Sequence, residues 1–392
     1  MTQTNIFDYL DWRGDLTFEH APFCSIDSLI LALYCYQNFQ SQAGTPEGFT
    51  LREAPAYMDV PQTTLTAKED REKMIRRLPS LKRFSDIRLH DLVDDVDAQR
   101  NIQFSATTFE VPHVGTVVAF RGTDRSLVGW KEDFMLSYEC PVPAQSAALE
   151  YLIRLAAQSS GPLLLTGHSK GGNLAVYAGA CAPEHIQKRI TYIGSFDGPG
   201  LDDETYASEG YARIQPKIAS YIPSGSIVGV LMNHHPDYRI VKTSTVGGIL
   251  QHNGFTWQVL GPSFVKTAET TRSSQIVNQT VHDWLKTCTP AQRQVFVETV
   301  FSMLENSKRE DHETRRQNAL RSLGQAMMIQ DPETRKMVNS LLTSFLSIGV
   351  GNSLESLSME VGSSLENLFT KTLSQAATGI RERMKGAEKN DT

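Results

Sequence analysis

The sequence lacks the features that mark secreted and membrane-spanning proteins. The first residues, MTQTNIFDYLDWRGD, contain no basic segment followed by an apolar one, and no run of about 18 uninterrupted apolar residues occurs anywhere. We therefore expect a cytoplasmic protein with neither a signal peptide nor a transmembrane segment.

Cysteine is scarce, and positive charge is in deficit. Lys and Arg number 38 against 44 Asp and Glu, which gives a net charge of −6 and argues against a nucleic-acid or anionic-membrane partner. An odd number of cysteines without a CxxC pair predicts reduced thiols that pack in the interior, and Cys140 has no catalytic signature around it. The five cysteines are Cys24, Cys35, Cys140, Cys181 and Cys288.

Short apolar runs alternate with helical patterns through the middle of the chain. A buried helix is predicted at 25–39 and a charged, solvated one at 65–84. Because strands separated by helices indicate a mostly parallel sheet, we predict an α/β fold of the α/β-hydrolase type. The predicted strands are 103–111 and 116–122, a hairpin that opens the sheet, then 162–166, 190–196, 218–222, 238–245 and 255–260, with helices near 145–159 and 171–182.

After Pro262 the sequence carries helix signals alone, so we predict a hydrolase domain over 1–265 and a helical region over 266–392. One stripe in this region has an acidic polar face, which favours packing on a neighbouring helix, a partner protein or a second copy over contact with a membrane surface. The apolar residues of this stripe are Leu354, Leu357, Val361, Leu365 and Leu368.

The most informative motif is Gly167-His168-Ser169-Lys170-Gly171, which lies between the apolar run PLLLT and a helical pattern. A Gly-x-Ser-x-Gly sequence between a strand and a helix is typical of a sharp turn that presents a nucleophilic serine. The N-terminus of the following helix places free N–H groups where an oxyanion would develop. We interpret Ser169 as the nucleophile.

A catalytic serine needs a base and an acid, which follow it in the order Ser, Asp/Glu, His in this fold. We favour His252 as the base, because it lies 83 residues (252 minus 169) after the serine in a loop before the last predicted strand, with His235 as the second choice. Asp197 is the favoured acid, because it ends the strand after the nucleophile helix. Its competitors are Asp202, Asp203 and Asp237.

The segment before the nucleophile supplies further candidates. The backbone N–H of Thr123, after the strand ending in Arg-Gly-Thr-Asp, could pair with that of Lys170 to bind an oxyanion. The segment 126–143 mixes apolar side chains with charges, which suits either a lid over an apolar cleft or a fixed helix packed on the sheet. Trp130 and Phe134 in this segment, together with His168 of the Gly-His-Ser turn, are the candidate lid or substrate-binding residues.

Several of these motifs together resemble a known family. The segments Phe120-Arg121-Gly122-Thr123, Trp130 with Asp133-Phe134, the Gly-His-Ser turn and Gln-His-Asn-Gly-Phe-Thr-Trp (251–257) resemble the class 3, fungal-type lipases over about residues 100–260. The opening DYLDWRGD, FCSIDSLILA (23–32), the His-Ser-Lys-Gly-Gly-Asn turn and Ser-Phe-Asp-Gly-Pro-Gly (195–200) look like the bacterial Mbeg-like family of lipase-like hydrolases, long grouped as a domain of unknown function.

The resemblance implies Ser169 as nucleophile, Thr123 as oxyanion residue, His252 as base and Trp130 on a lid. One position departs from the lipase pattern, because Ser226 stands where the lipases carry their acid. Either Asp197 supplies the charge instead, or catalysis is weakened. Lys170 is also unusual beside the nucleophile, and it could favour an anionic substrate or pair with Asp124 or Asp197.

These observations predict a serine esterase or lipase that cleaves a lipid or other acyl ester through an acyl-enzyme, without a metal or cofactor. Two alternatives stay open. One is a hydrolase-like binding or scaffold module that lacks an effective acid, and the other is an acyltransferase that uses the same serine.

Overall fold

The computed structural model describes residues 4–301 except 38, 40–47, 59–67, 124, 125, 247, 288, 292, 295, 296, 299 and 300. Its strands form one large mixed sheet in the order β1-β2-β3-β4-β5-β6-β7-β8-β11 and a separate pair of β9 with β10. The strands are β1 (Phe49–Thr50), β2 (Arg88–Asp97), β3 (Ile102–Val111), β4 (Gly115–Phe120), β5 (Leu163–His168), β6 (Ile190–Phe196), β7 (Ile218–Pro223), β8 (Arg239–Val241), β9 (Val259–Leu260), β10 (Ser263–Phe264) and β11 (Lys266–Thr267).

Helices lie on both faces of this sheet. They are α1 (Ile6–Arg13), α2 (Ser25–Tyr34), α3 (Lys68–Arg77), α4 (Leu127–Met135), α5 (Pro143–Gln158), α6 (Lys170–Cys181), α7 (Glu184–Arg189), α8 (Asp203–Tyr206), α9 (Glu209–Ile214), α10 (Gly248–Gln251) and α11 (Arg272–Thr287). Short 3₁₀ turns occur at Ala54–Ala56, Leu78–Ser80, Gln215–Lys217 and Gly254–Thr256.

The five strands β4 to β8 run parallel to one another. Because adjacent residues of a strand point to opposite faces, β5 contributes Leu164 to one hydrophobic core and Leu165 to the other. The first core is built with α1, α2 and α3, and the second with α5, α6 and α9. The carboxyl ends of the parallel strands share one edge, where the turns after β4, β5 and β6 meet. The predicted α/β fold is confirmed.

The sheet differs from the prediction at both ends. It opens with β1 and β2 rather than with the hairpin of β3 and β4. β2 was missed because its sequence, RLHDLVDDVD, is charged, half-exposed and interrupted by an irregularity between His90 and Val93, so it lacks an apolar strand pattern. The predicted last strand at 255–260 is also wrong, since this segment forms a 3₁₀ turn and then β9, outside the large sheet.

The first compact unit of the chain is Met1–Ser274. It extends beyond the predicted boundary after residue 265, because β11 pairs with β8 at the edge of the large sheet. Of the second unit, Gln275–Thr392, the described residues include the remainder of α11 and scattered positions up to Phe301. The predicted apolar stripe from Leu354 to Leu368 lies outside the described residues. Within the described part of the chain, no helix has both the length and the apolar character needed to span a membrane.

Candidate active site

Ser169 occupies a sharp turn between β5 and α6. Its φ of 60° and ψ of −135° place a non-glycine residue in a sparsely populated conformation. The Ser169 N–H donates to the Phe196 carbonyl at 3.0 Å, and the Ser169 carbonyl accepts from the Gly172 N–H at 2.8 Å. The side chain is half-buried at the carboxyl end of the central strand. The strand, turn and helix expected around Gly-x-Ser-x-Gly are therefore present.

Two glycines allow this turn to form. A Cβ on Gly167 would lie 2.0 Å from the Gly171 carbonyl oxygen, and a Cβ on Gly171 would lie 2.1 Å from the Phe120 carbonyl oxygen. Neither backbone contact tolerates a side chain. The helix therefore starts close against β4 and β5, with its first N–H groups beside Ser169.

Asp197 and His252 are brought together in this structure. The Oδ2 atom of Asp197 lies 2.6 Å from Nδ1 of His252. Because a carboxylate only accepts, Nδ1 carries the shared proton, and Nε2 is left unprotonated on the neutral ring. The Asp197 side chain is fully buried, whereas 22% of the His252 side chain is exposed. A buried carboxylate therefore orients an imidazole that solvent can reach.

Ser226, at the position of the lipase acid, contacts the Asp197 carboxylate instead of replacing it. Its hydroxyl donates to Oδ1 of Asp197, and the Gly229 N–H donates to the same oxygen at 3.1 Å. Gly229 has no room for a side chain, since its Cβ would lie 2.4 Å from that oxygen. Asp197 itself follows β6 with a φ of 52°, and its N–H donates to the Tyr221 carbonyl. The carboxylate is therefore held at both oxygens.

The competing acids and the second-choice base have other partners. Asp202 caps α8 and accepts from the Cys140 thiol, while Asp203 accepts from Asn233. His235 contacts the Gln215 carbonyl through Nε2 and accepts the Asp237 N–H at Nδ1. None of these contacts involves the Ser169 turn.

His168, predicted among the lid or substrate-binding residues, is only 2% exposed, and its ring contacts other parts of the protein. Its Nε2 lies 2.7 Å from the His252 carbonyl oxygen, which can only accept, so Nε2 carries the proton. Nδ1 lies 3.3 Å from the Tyr36 hydroxyl. Burial lowers the pKa of His168 to about 3, and nearby His252 acts in the same direction. The neutral ring ties the nucleophile turn to the loop that carries His252.

The turn after β4 lies against the nucleophile. A Cβ on Gly122 would lie 3.0 Å from Cβ of Ser169, and Thr123 follows directly. No hydrogen bond joins the backbone N–H of Thr123 or of Lys170 to another residue that the structure describes. Two N–H donors from separate strand ends are thus available next to Ser169.

The Thr123 hydroxyl is fixed by Asp133 of α4, to whose Oδ2 it donates at 2.5 Å. Burial raises the pKa of Asp133 to about 6, although Lys170 and the Thr123 hydrogen bond oppose this shift. Its other oxygen, Oδ1, is shielded from solvent and has no hydrogen-bond partner among the described residues. Sequence reasoning used Asp133 only as part of the family resemblance.

The Lys170 ammonium is bound by partners in the interior. Nζ lies 2.8 Å from Oε2 of Glu132 and donates to the Gln103 carbonyl at 2.8 Å, with both charged side chains at most 1% exposed. Asp197 is therefore not its partner, and the buried ammonium is unavailable to an anionic substrate. The other suggested partner, Asp124, lies outside the described residues.

The predicted lid segment contains α4, on which Trp130 and Phe134 are half-buried. Between them on α4, Glu132 is completely buried and accepts hydrogen bonds from the Gln103 and Ala144 N–H groups as well as from Lys170. These contacts favour the alternative of a helix fixed on the sheet.

The described residues give little support to metal-dependent catalysis or to a cysteine nucleophile. No group of three or more His, Cys, Asp or Glu side chains there could hold a metal ion. Cys140 is exposed, whereas the sequence predicted interior packing for the cysteines. Partial desolvation of its thiol, together with the neighbouring Asp202, still raises the pKa of the thiol to about 12, so it stays protonated near neutral pH.

Three supporting residues escaped the sequence analysis. Tyr36 contacts His168, Glu132 anchors Lys170, and Gln251 holds the base loop by accepting the Gly225 N–H at 2.7 Å while its carbonyl accepts from Trp257 at 2.9 Å. Only Glu132 had a signal, since a lysine in an otherwise apolar helix start needs a buried carboxylate.

Comparison with known proteins gives a family and a likeness to solved structures. Among solved structures, the chain is similar to the M37 lipase, with 17% identity over 53% of this chain and 70% of that chain and a TM-score of 0.34. No curated protein matches the chain. The Mbeg1-like family model matches residues 78–302, which include β2 to β11 and every residue of the site except Tyr36. The chain belongs to the Mbeg1-like family.

Proposed function

We propose that this chain is a serine hydrolase that cleaves a carboxylic ester, a lipid or other acyl ester, through an acyl-enzyme on Ser169. The observation that carries the proposal is the 2.6 Å contact between buried Asp197 and His252. The His252 carbonyl in turn accepts a hydrogen bond from His168, the residue that precedes Ser169. A buried carboxylate on a solvent-reachable imidazole beside a strained serine turn is the arrangement that acyl transfer requires.

The proposed reaction gives each of these groups a role. Nε2 of His252 takes the Ser169 proton while Oγ forms a bond to the carbonyl carbon of the ester. The carbonyl oxygen becomes an oxyanion that accepts from the N–H groups of Thr123 and Lys170, and Asp197 stabilises the imidazolium. When the carbon–oxygen bond breaks, His252 returns the proton to the departing alcohol. Water then attacks the acyl-enzyme by the same route and releases the acid.

The site supports a hydrolase over a binding module. The module hypothesis rested on the serine at position 226, and here Ser226 donates to a carboxylate that already contacts His252. A protein that only binds an ester has no need for a strained serine or for an oriented base.

Fluorophosphonate labelling with peptide mass spectrometry tests the proposal on the full chain. We expect an adduct on Ser169 in the wild type, none at that peptide in Ser169→Ala, and labelling about 10²–10⁴-fold slower in His252→Ala. The exposed His185 in α7 provides a matched control, because His185→Ala should label at the wild-type rate.

Two results would change the assignment. Absence of an adduct in the wild type, both in water and with detergent, would favour the binding module. If added alcohol converts most of an ester substrate into a new ester rather than into free acid, the chain is an acyltransferase that uses the same serine.

A further inference from the structure

Helix α4 is tied to the sheet and to both neighbouring helices by one buried carboxylate. Oε2 of Glu132 accepts from Nζ of Lys170 at 2.8 Å and from the Gln103 N–H at 3.0 Å, and Oε1 accepts from the Ala144 N–H at 2.7 Å. These donors belong to α6, β3 and α5. Moving α4 away would leave two buried charges without their partners, which is strongly unfavourable.

Contacts along the rest of α4 act in the same direction. Ser126 caps the helix by accepting the Gly129 N–H, and Lys131 donates to the Asn101 side chain at 2.8 Å. At the other end, Met135, Leu136 and Val142 form a buried apolar cluster. The helix is therefore held at its start, middle and end.

The inward face of α4 is also unsuited to lipid. Its buried side includes the carboxylates of Glu132 and Asp133, of which Glu132 is fully buried and Asp133 has one solvent-shielded oxygen. A lid that opens at a lipid surface exposes its inner face to that lipid, and two acidic groups would oppose such contact.

Ser169 and His252 both keep part of their surface exposed with α4 in this position. Ser169 is half-buried and 22% of the His252 side chain is exposed. No displacement of α4 is therefore needed for an ester in solution to reach the serine.

We propose that α4 is a fixed wall and that the substrates are acyl esters dispersed as single molecules in water, with no activation at a lipid–water interface. The inference rests on the proposed function, because it describes how the substrate of that hydrolase reaches Ser169. It goes beyond that function by choosing dispersed esters over aggregated lipid.

The rate of fluorophosphonate labelling of Ser169 in the full chain is the first test. We expect the rate constants in buffer and with Triton X-100 micelles to agree within about twofold, since no cover has to move. An increase of more than about tenfold with micelles would overturn the fixed wall. If no adduct forms under either condition, the proposed function has failed, which is a different result.

Two further measurements address the same point. With p-nitrophenyl butyrate and tributyrin, we expect rates that saturate below the solubility limit, and a steep rise at that limit would contradict the inference.

Hydrogen exchange on the wild type gives a readout that does not depend on activity. The Trp130 and Leu136 N–H groups, bonded to the Ser126 and Glu132 carbonyls along α4, should exchange as slowly as those of α6. Exchange as fast as in exposed loops would show that α4 opens.

Discussion

Two buried carboxylates, Asp197 and Glu132, each hold a side chain close to the Ser169 turn, and they differ in the partner that each one holds. On the base side, Asp197 contacts the His252 imidazole, whose side chain is 22% exposed. On the wall side, Glu132 contacts the Lys170 ammonium, which is 1% exposed. Both carboxylates are themselves completely buried, so their own burial does not distinguish them.

The difference lies in whether the pair communicates with the reacting atoms. Nδ1 of His252 is held by Asp197 while the ring remains reachable, so the pair can take up and release a proton during a reaction. Every polar contact of the Glu132 pair is internal, and each of its carboxylate oxygens is bonded to a backbone N–H. We therefore infer that exposure of the partner, rather than burial of the acid, separates a catalytic pair from a structural one.

Asp197→Asn tests the base side and has the largest expected effect. An amide at this position would favour the wrong tautomer of His252, so ester hydrolysis and fluorophosphonate labelling should slow by about 10⁴-fold. The Ser226 hydroxyl and the Gly229 N–H can still donate to the amide oxygen, so circular dichroism and the urea midpoint should stay close to those of the wild type.

Ser226→Ala is the graded control for this variant. It removes one hydrogen bond to the same carboxylate and keeps the charge, so a loss of about tenfold is expected. If Asp197→Asn slows labelling no more than Ser226→Ala does, Asp197 is not the acid of the site.

Lys170→Met tests the wall side, where stability rather than rate should change. The variant leaves Glu132 buried without its cation, so the free energy of unfolding should fall by about 3–5 kcal/mol. The backbone N–H at position 170 is retained, so the folded fraction should still be labelled on Ser169. Urea unfolding and labelling of the same samples separate the two quantities.

An exposed ion pair provides the matched control. Lys188→Met removes the pair with Glu184, whose side chains are 74% and 57% exposed, and should leave the urea midpoint close to that of the wild type. Loss of labelling in Lys170→Met at unchanged stability would contradict the structural role and place the ammonium in the chemistry.

The parts of the fold that could be predicted from the sequence are those with a distinctive pattern within a few consecutive residues. The strands β5, β6 and β7 are continuous apolar runs, and the Ser169 turn has its glycines within two residues on either side. His252 and Asp197 were favoured because residues at the ends of strands in this fold converge on one edge. Their order along the chain, Asp197 after Ser169 and His252 after Asp197, is the order of acid and base in this fold, and it can be seen in the sequence.

The residues that could not be predicted act through contacts distant in the chain. Glu132 lies 38 residues before Lys170, and Tyr36 lies 132 residues before His168. Nothing local distinguishes Tyr36 from any other aromatic residue near the end of a buried helix. Strand β2 was missed for a different reason, since strand pairing with β3 overrides its charged, irregular sequence.

His168 combines features of both sides. It contacts the His252 carbonyl on the base side, yet it is buried like the Lys170 ammonium on the wall side. Its pKa is lowered from 6.5 to about 3 by burial and by His252, with Arg71 acting in the same direction and Asp197 opposing it. Between these two pKa values the unfolded chain binds a proton that the native chain excludes. The contribution of His168 to the free energy of unfolding should therefore be complete above about pH 6.5. It should fall with acidification, by at most about 1.4 kcal/mol per pH unit.

Urea unfolding of the wild type and His168→Gln between about pH 4.5 and 6.5 measures this slope. The variant should lose that part of the slope, and equal slopes would mean that the ring titrates normally and does not lock the His252 loop.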